Sequence, residues 1–426
     1  MAFNVDSNIF CGGHTWMFDG SLLWVGGTDT ASTLSPVGVR NVRRLDPVAW
    51  TISTLPQIAE EFWYETAISL ADRRVLMTGT STAVPILTAP DLRGRQIFDS
   101  VGGWSPLDDN GFIPDEYPRL HVLQSGTVLM TGYDAQARIL NPQAAGPGAW
   151  TAPPGLVSSV SRAAGGSVYL SYLNASGVRV ERVIVIGGWW IPTPTSPPTP
   201  WRSIDVIDYP DAPGAAWQTN PAWDMGWERG QLNAVILPNR RILVLGGGGW
   251  TPTPPPGQPI PRFTPELLDP VALTWQQMAD ERHPRLYHAL AGLLASGQVY
   301  SAGGEDTPGF PSSEHTLEVF SPTYLFVGGA PVITSVPSTI GYTGTFTVGA
   351  TTFGSPVGTV VLIRSSSVTH HFDFDQRYVE LSFNASGPTL IVDAPPSTGA
   401  APPGYYLLFV VSAAGVPSEG RWVHVN

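Results

Sequence analysis

LLWVGG at Leu22–Gly27 is the first of six short hydrophobic runs that end in Gly-Gly or a worn version of it. The others are VLMTGT from Val75, VLMTGY from Val128, VIVIGG from Val183, ILVLGG from Ile242 and VYSAGG from Val299. Successive runs start 53, 53, 55, 59 and 57 residues apart. A period this steady marks a repeat, each unit burying its apolar face only against its neighbours. Five of the six runs follow a turn pair: Asp19-Gly20, Asp72-Arg73, Ser125-Gly126, Asn239-Arg240 and Ser296-Gly297. Another apolar stretch lies before each turn, so each unit opens with a hairpin. Most units then carry an Asp- or Pro-marked strand end and a Trp: LDPVAW to Trp50, FDSVGGW to Trp104, LNP before Trp150, and LLDPVALTW to Trp275. Those strands complete a four-stranded blade. The chain therefore reads as all-β, a β-propeller over residues 1–328 with six visible repeats.

Composition agrees with this reading. The chain has 426 residues, long enough for more than one domain, with 46 Gly, 42 Pro and only 13% charged residues, a balance that suits many short strands joined by turns. The net charge of −12, with Arg as the sole basic side chain besides His, argues against nucleic acid as a partner and offers no basic patch for a membrane. MAFNVDSNIF has no basic start or long apolar core, so no signal peptide is visible, and no apolar run reaches membrane-spanning length. A single cysteine, Cys11, excludes an intrachain disulfide framework. The period and turn chemistry are kelch-like. The fourth unit is stretched by SYLNASGVRVER, and Pro-rich loops follow Trp190 and Trp250. These loops read either as stiff surface connections or as a rim that shapes a cleft.

After Ser321-Pro322 the repeat stops. TGTFTVGA, GTVVLIR, YVELSF, TLIVDA and YYLLFVV alternate as strands over residues 329–426, resembling an immunoglobulin-like β-sandwich without its disulfide. Counting nine residues back from the second residue of each turn pair gives Cys11, Tyr64, Tyr117, Gln231 and His288, with Tyr287 beside His288. This phase starts the first strand of each unit, and first strands line a propeller's central channel. Each residue alone has a bland explanation: a buried thiol, channel-filling aromatics, and an edge pair at His370-His371. Together they could hold a metal, since imidazole suits copper and Cu(II) prefers N and O donors in a tetragonal site.

The same residues carry a family likeness. The chain resembles the copper radical oxidases, the group of galactose oxidase and glyoxal oxidase. The matching stretches are NIFCGGHTWMFDGSLLWVGG, WYETAISLADRRVLMTG, YPRLHVLQSGTVLMTG, PELLDPVALTW, RLYHALAGLLASGQVYSAGGE, FSPTYLF, VTHHFDFDQRYVELSF and PPGYYLLFVV, in order from one end to the other. The resemblance implies that Cys11 and Tyr64 form a thioether that stores a tyrosyl radical. It implies that Tyr64, Tyr287, His288 and His370 bind copper, with Tyr287 taking the substrate's hydroxyl proton. His371 falls outside that ligand set, and the C-terminal domain would deliver His370 into the channel. The activity implied is oxidation of a primary alcohol or an aldehyde by O2, giving H2O2, by a monomer outside the cell.

Three departures stand out. Where galactose oxidase has a Trp stacked over the thioether, this chain has Thr82, beside Ser81; Trp16, Trp63 or Trp104 could shield the radical instead. No match to that enzyme's sugar-binding Arg is found, and Trp63-Tyr64 resembles the glyoxal oxidase branch more closely. Only ten residues precede Cys11, and six repeats are visible where the family has seven, which leaves a six-bladed variant or a truncated start. Two other readings remain open at this point: a propeller that only binds glycan or protein, and a copper-binding relative of low activity.

Overall fold

The computed structural model describes residues 8–29, 37–80, 94–108, 116–144, 150–190, 198–250, 259–305 and 313–426. Ser81, Thr82 and most of the two Pro-rich loops lie outside them. The structure is all-β, with six antiparallel blades among the described residues and a sandwich after them. Blade one runs Gly13–Trp16, Leu22–Val25, Val42–Asp46 and Thr51–Leu55. Blades two, four and five also have at least four strands, opening with Trp63–Ser69, Gly166–Leu173 and Gly230–Ile236. Blades three and six have three, opening with Arg119–Val122 and Leu290–Leu293. In blade three the expected fourth strand shrinks to a single bridge between Ile139 and Thr151.

The Gly-Gly endings have a structural cause. Gly26 and Gly27, Gly187 and Gly188, Gly246 and Gly247, and Gly303 and Gly304 all have positive φ, a conformation open to glycine at little cost. In blades four, five and six the turn brings the first glycine's carbonyl to a buried arginine of the same blade. Arg162 Nη1 donates to Gly187 O at 2.8 Å, Arg229 Nη1 to Gly246 O at 2.8 Å, and Arg285 Nη1 to Gly303 O at 2.9 Å. Each guanidinium also meets a carboxylate of the blade's third strand, Asp205, Glu266 and Glu318 in turn. A buried charge needs such pairing and full hydrogen bonding. In these three blades the repeat is thus a polar clamp as well as a hydrophobic period.

The sandwich packs Val332–Ser335, Thr345–Thr351, Thr389–Asp393 and Phe383–Ser386 against a sheet that includes Val357–Arg364, Tyr378–Leu381, Gly404–Ser412 and Arg421–Val425. Val348, Leu362, Val392, Leu408 and Val423 fill the space between the two layers. Tyr378–Leu381 also pairs in parallel with the first strand of blade four, Leu170 opposite Tyr378 and Ser171 opposite Val379. One nine-stranded sheet therefore runs from a blade into the sandwich. The two units share a core in which Val168, Leu170, Ile184 and Ile236 meet Val361, Tyr378, Leu407 and Phe409.

Candidate copper centre

Cys11, Tyr64, Tyr117, Gln231 and His288 share a backbone conformation, with φ of 61°, 60°, 44°, 57° and 64°. Non-glycine residues rarely adopt left-handed φ, and clusters of them mark functional constraint. Ala164, with φ of 50°, holds the equivalent place in blade four. Backbone bonds link several of these positions from blade to blade: Tyr64 N to Cys11 O at 3.0 Å, Tyr117 N to Tyr64 O at 2.7 Å, and Gln231 N to Ala164 O at 2.7 Å. At Tyr64 the register of the blade-two hairpin shifts between Trp63 and Thr66, a bulge that re-aims side chains.

His370 arrives from the sandwich. Val368–Thr369 and Phe372–Asp373 form a hairpin whose two central residues are His370 and His371, with φ of 49° and 63°. A two-residue hairpin of the I′ kind needs positive φ at both places. This finger enters the channel and is bonded to several blades. Asp375 accepts from Thr15 Oγ1 at 2.8 Å and Trp16 N at 2.9 Å in blade one. Arg377 Nη2 donates to Val122 O at 2.8 Å in blade three, and Gln376 Nε2 to Ala234 O at 2.9 Å in blade five. His371 N donates to Ala289 O at 2.9 Å in blade six, beside His288. Phe372 and Phe374 pack with Tyr117 and Leu120. His371 thus contributes a backbone anchor, while its buried ring lies against Phe372.

The candidate side chains meet at the finger's tip. His370 Nε2 lies 3.2 Å from Cys11 Sγ, and ligand atoms of Cys11, His288 and His370 all fall within 4.8 Å of one another. The two imidazole rings stand 4.1 Å apart and nearly perpendicular. The Tyr64 and Tyr287 hydroxyls are in direct contact, and the Cys11 thiol and Tyr64 phenol are hydrogen-bonding neighbours. His370 Nδ1 faces Thr369 Oγ1 at 2.8 Å and the Tyr117 hydroxyl at 3.3 Å, which leaves Nε2 for the centre. Burial pulls His370 down to about 2, helped by His288 and His14, so its imidazole is neutral, as a ligand must be. Burial pushes the Cys11 thiol up to about 11, with the Tyr64 hydrogen bond opposing it. It also raises the Tyr64 and Tyr117 phenols well above their usual range. Two imidazoles and two phenols around one point form the N and O donor set that suits Cu(II).

Of the three tryptophans considered as shields, Trp63 is the one beside the phenol, its ring 4.7 Å from that of Tyr64 and tilted by 53°. Trp16 and Trp104 spend their indole N–H groups elsewhere, on Ser366 O and Pro56 O. Sequence reasoning put Tyr117 in phase but gave it no role, and its contact with His370 appears only in three dimensions. Blade four's Ala164 was missed because the stretched hairpin of that unit hides the nine-residue spacing.

The galactose oxidase-like early set domain family matches residues 330–425. Aldehyde oxidase GLOX of Vitis pseudoreticulata is 26% identical over 98% of this chain and 82% of its own length. Galactose oxidase of Gibberella zeae is 29% identical over 45% of this chain, a match that spans 29% of that protein. A solved fungal alcohol oxidase in complex with copper shares the fold at a TM-score of 0.78, covering 98% of this chain and 85% of its own, at 22% identity. With the propeller, the early set domain and the grouped Cys, Tyr and His side chains on one chain, this protein is similar to the copper radical oxidases.

Proposed function

We propose that this protein oxidises a primary alcohol or an aldehyde with dioxygen and releases hydrogen peroxide. Copper would be held by Tyr64, Tyr287, His288 and His370, beside a thioether joining Cys11 to Tyr64. The observation that carries this reading is the convergence of these five side chains, from blades one, two and six and from the sandwich, on one point. When bound, copper supplies one-electron redox chemistry, an open position for substrate, and positive charge that holds buried phenols as phenolates.

The rest is the work of the chain. Oxidising an alcohol removes two electrons, so a second oxidising equivalent is needed, and Tyr64 stores it as a phenoxyl radical spread onto the Cys11 sulfur. Tyr287 accepts a hydroxyl proton, from the alcohol or from the hydrate that an aldehyde forms with water, and Tyr64 takes a hydrogen atom from the carbon that bears it. Two hydrogens leave the alcohol or the hydrate in all, and dioxygen accepts them as hydrogen peroxide. The His370 imidazole, already neutral, needs no deprotonation before it binds. Trp63 against Tyr64 shields the radical from water. The name of the grape relative and the Trp63-Tyr64 pair favour an aldehyde over galactose as substrate.

Thioether formation joins sulfur to a ring carbon and removes one hydrogen from each, with dioxygen as oxidant. The apoprotein is incubated with copper and oxygen, digested and mapped by mass spectrometry. A single linked Cys11–Tyr64 peptide, lighter by two hydrogens than its parts, is expected. Separate Cys11 and Tyr64 peptides after full copper loading refute the oxidase and leave a binding propeller or a redox-poor relative. Peroxide release over a panel of alcohols, aldehydes and sugars then assigns the substrate.

A further inference from the structure

Glu305 follows the Gly303-Gly304 turn of blade six, outside the proposed ligand set. Two independent contacts tie it to the centre. Its backbone N donates to Tyr287 O at 2.9 Å, and it bridges both Tyr287 and Ser313. Its carboxylate pairs with His288 Nδ1. One residue thus grips two consecutive candidate ligands, Tyr287 by its backbone and His288 by its ring.

The pairing has a chemical consequence. An imidazole has two nitrogens, and a carboxylate on one of them holds the proton there and turns the other, as a lone pair, toward a metal. The two candidate histidines are treated differently. His370 Nδ1 meets the neutral hydroxyls of Thr369 and Tyr117, whereas His288 Nδ1 meets a carboxylate. A carboxylate partner also raises the donor strength of the ring. His288 sits at φ of 64°, in a strained turn, so its ring orientation benefits from a second tether.

We propose that Glu305 is a positioning residue for the copper site: it fixes the His288 ring with Nε2 facing the metal and spaces it against Tyr287. This rests on the copper reading above. The test uses the full chain, wild type and the variants Glu305→Ala, Glu305→Asp and Glu305→Gln, with Cu(II) itself as the probe. Copper affinity is measured by competition with a chelator, the bound ion by electron paramagnetic resonance, and the apoprotein by thermal unfolding. Glu305→Ala is expected to lose about 10–100-fold in copper affinity and to shift the copper hyperfine splitting. Glu305→Gln keeps an acceptor oxygen at the same reach and should restore most of the affinity. Glu305→Asp keeps the charge but falls one methylene short, and should behave like Glu305→Ala; it carries the comparison if the alanine variant unfolds. Wild-type affinity and an unchanged spectrum in both Glu305→Ala and Glu305→Asp overturn the proposal while the copper centre stands. Failure of the wild type to bind copper overturns the copper reading itself.

Discussion

Asp375 holds the finger that carries His370, and its loss gives a quantitative test of that arrangement. The carboxylate accepts from Thr15 Oγ1 at 2.8 Å and Trp16 N at 2.9 Å, and faces Arg364 Nε at 3.4 Å. Asp375 and Arg364 are 5% and 3% exposed, so water replaces none of these partners. In Asp375→Ala, Arg364 keeps Trp16 O at 2.8 Å and Pro402 O at 3.0 Å but loses its counter-charge. A buried donor left unsatisfied costs about 1–3 kcal/mol, and breaking one side of a buried ion pair about 3–5 kcal/mol. Both come from one carboxylate and overlap, so about 4 kcal/mol is expected. Unfolding entropy of ~2.1 cal/mol/K per residue, applied to all 426 residues, gives ~0.9 kcal/mol/K, and hence a fall of about 4–5 °C in melting temperature. Calorimetry of the apoprotein reads this directly, run well above pH 6 because burial pushes the Asp375 carboxyl up to about 6. Asp375→Asn keeps one acceptor and should fall between the two. Copper affinity should drop in the same order, because the tether positions His370. A melting temperature and a copper affinity both equal to wild type in Asp375→Ala would refute the idea that this contact seats the finger.

Four further outcomes are expected. Cys11→Gly, at a φ of 61° that glycine accepts easily, should bind copper as wild type does but lose most turnover, measured as peroxide release; undiminished turnover removes the thioether from the mechanism. Tyr287→Phe should lower turnover by about 10²–10⁴-fold through loss of the proton acceptor, with the Cys11–Tyr64 link still forming. Burial holds His121 at about 3 and His14 at about 4, against 6.5 for a free imidazole, so both are neutral when folded and take up a proton on unfolding in acid. The stability they contribute is full above pH 6.5 and is lost as pH falls toward those values, each with a limiting slope of about 1.4 kcal/mol per pH unit. Melting curves of His121→Asn should therefore depend less on pH between 6.5 and 4 than those of wild type. Gly13→Ala would put a Cβ 2.7 Å from Glu65 O, between blades one and two, and should destabilise by about 1–3 kcal/mol in urea titration.

The blades were legible because their causes are local. A Gly-Gly turn with positive φ, an Asp-Gly hairpin and alternating apolar strands each leave a mark within a few residues of sequence. The in-phase Cys11, Tyr64, Tyr117 and His288 were legible for the same reason, since each sits a fixed distance from its own turn. Where that distance changes, the signal fails: blade four's stretched hairpin concealed Ala164, and the shortened outer edges of blades three and six followed no visible spacing. The family likeness assigned His370 ahead of the structure, but no pattern within the chain marked it out from His371.

The sequence by itself determined the repeat, the sandwich after it and the residue types at the start of each first strand. Only the tertiary structure decided that these residues face one another. Cys11 and His370 are 359 positions apart, and they meet at 3.2 Å because the finger crosses the channel and is tied to several blades. The hairpin's two left-handed residues place the His370 ring beside Cys11 and the His371 ring against Phe372. The splice of Tyr378 onto Leu170, the grip of Asp375 on Thr15 and the pairing of Glu305 with His288 belong to the same class. Periodicity reports which face of a strand is buried, and it carries no information about which distant segment covers that face.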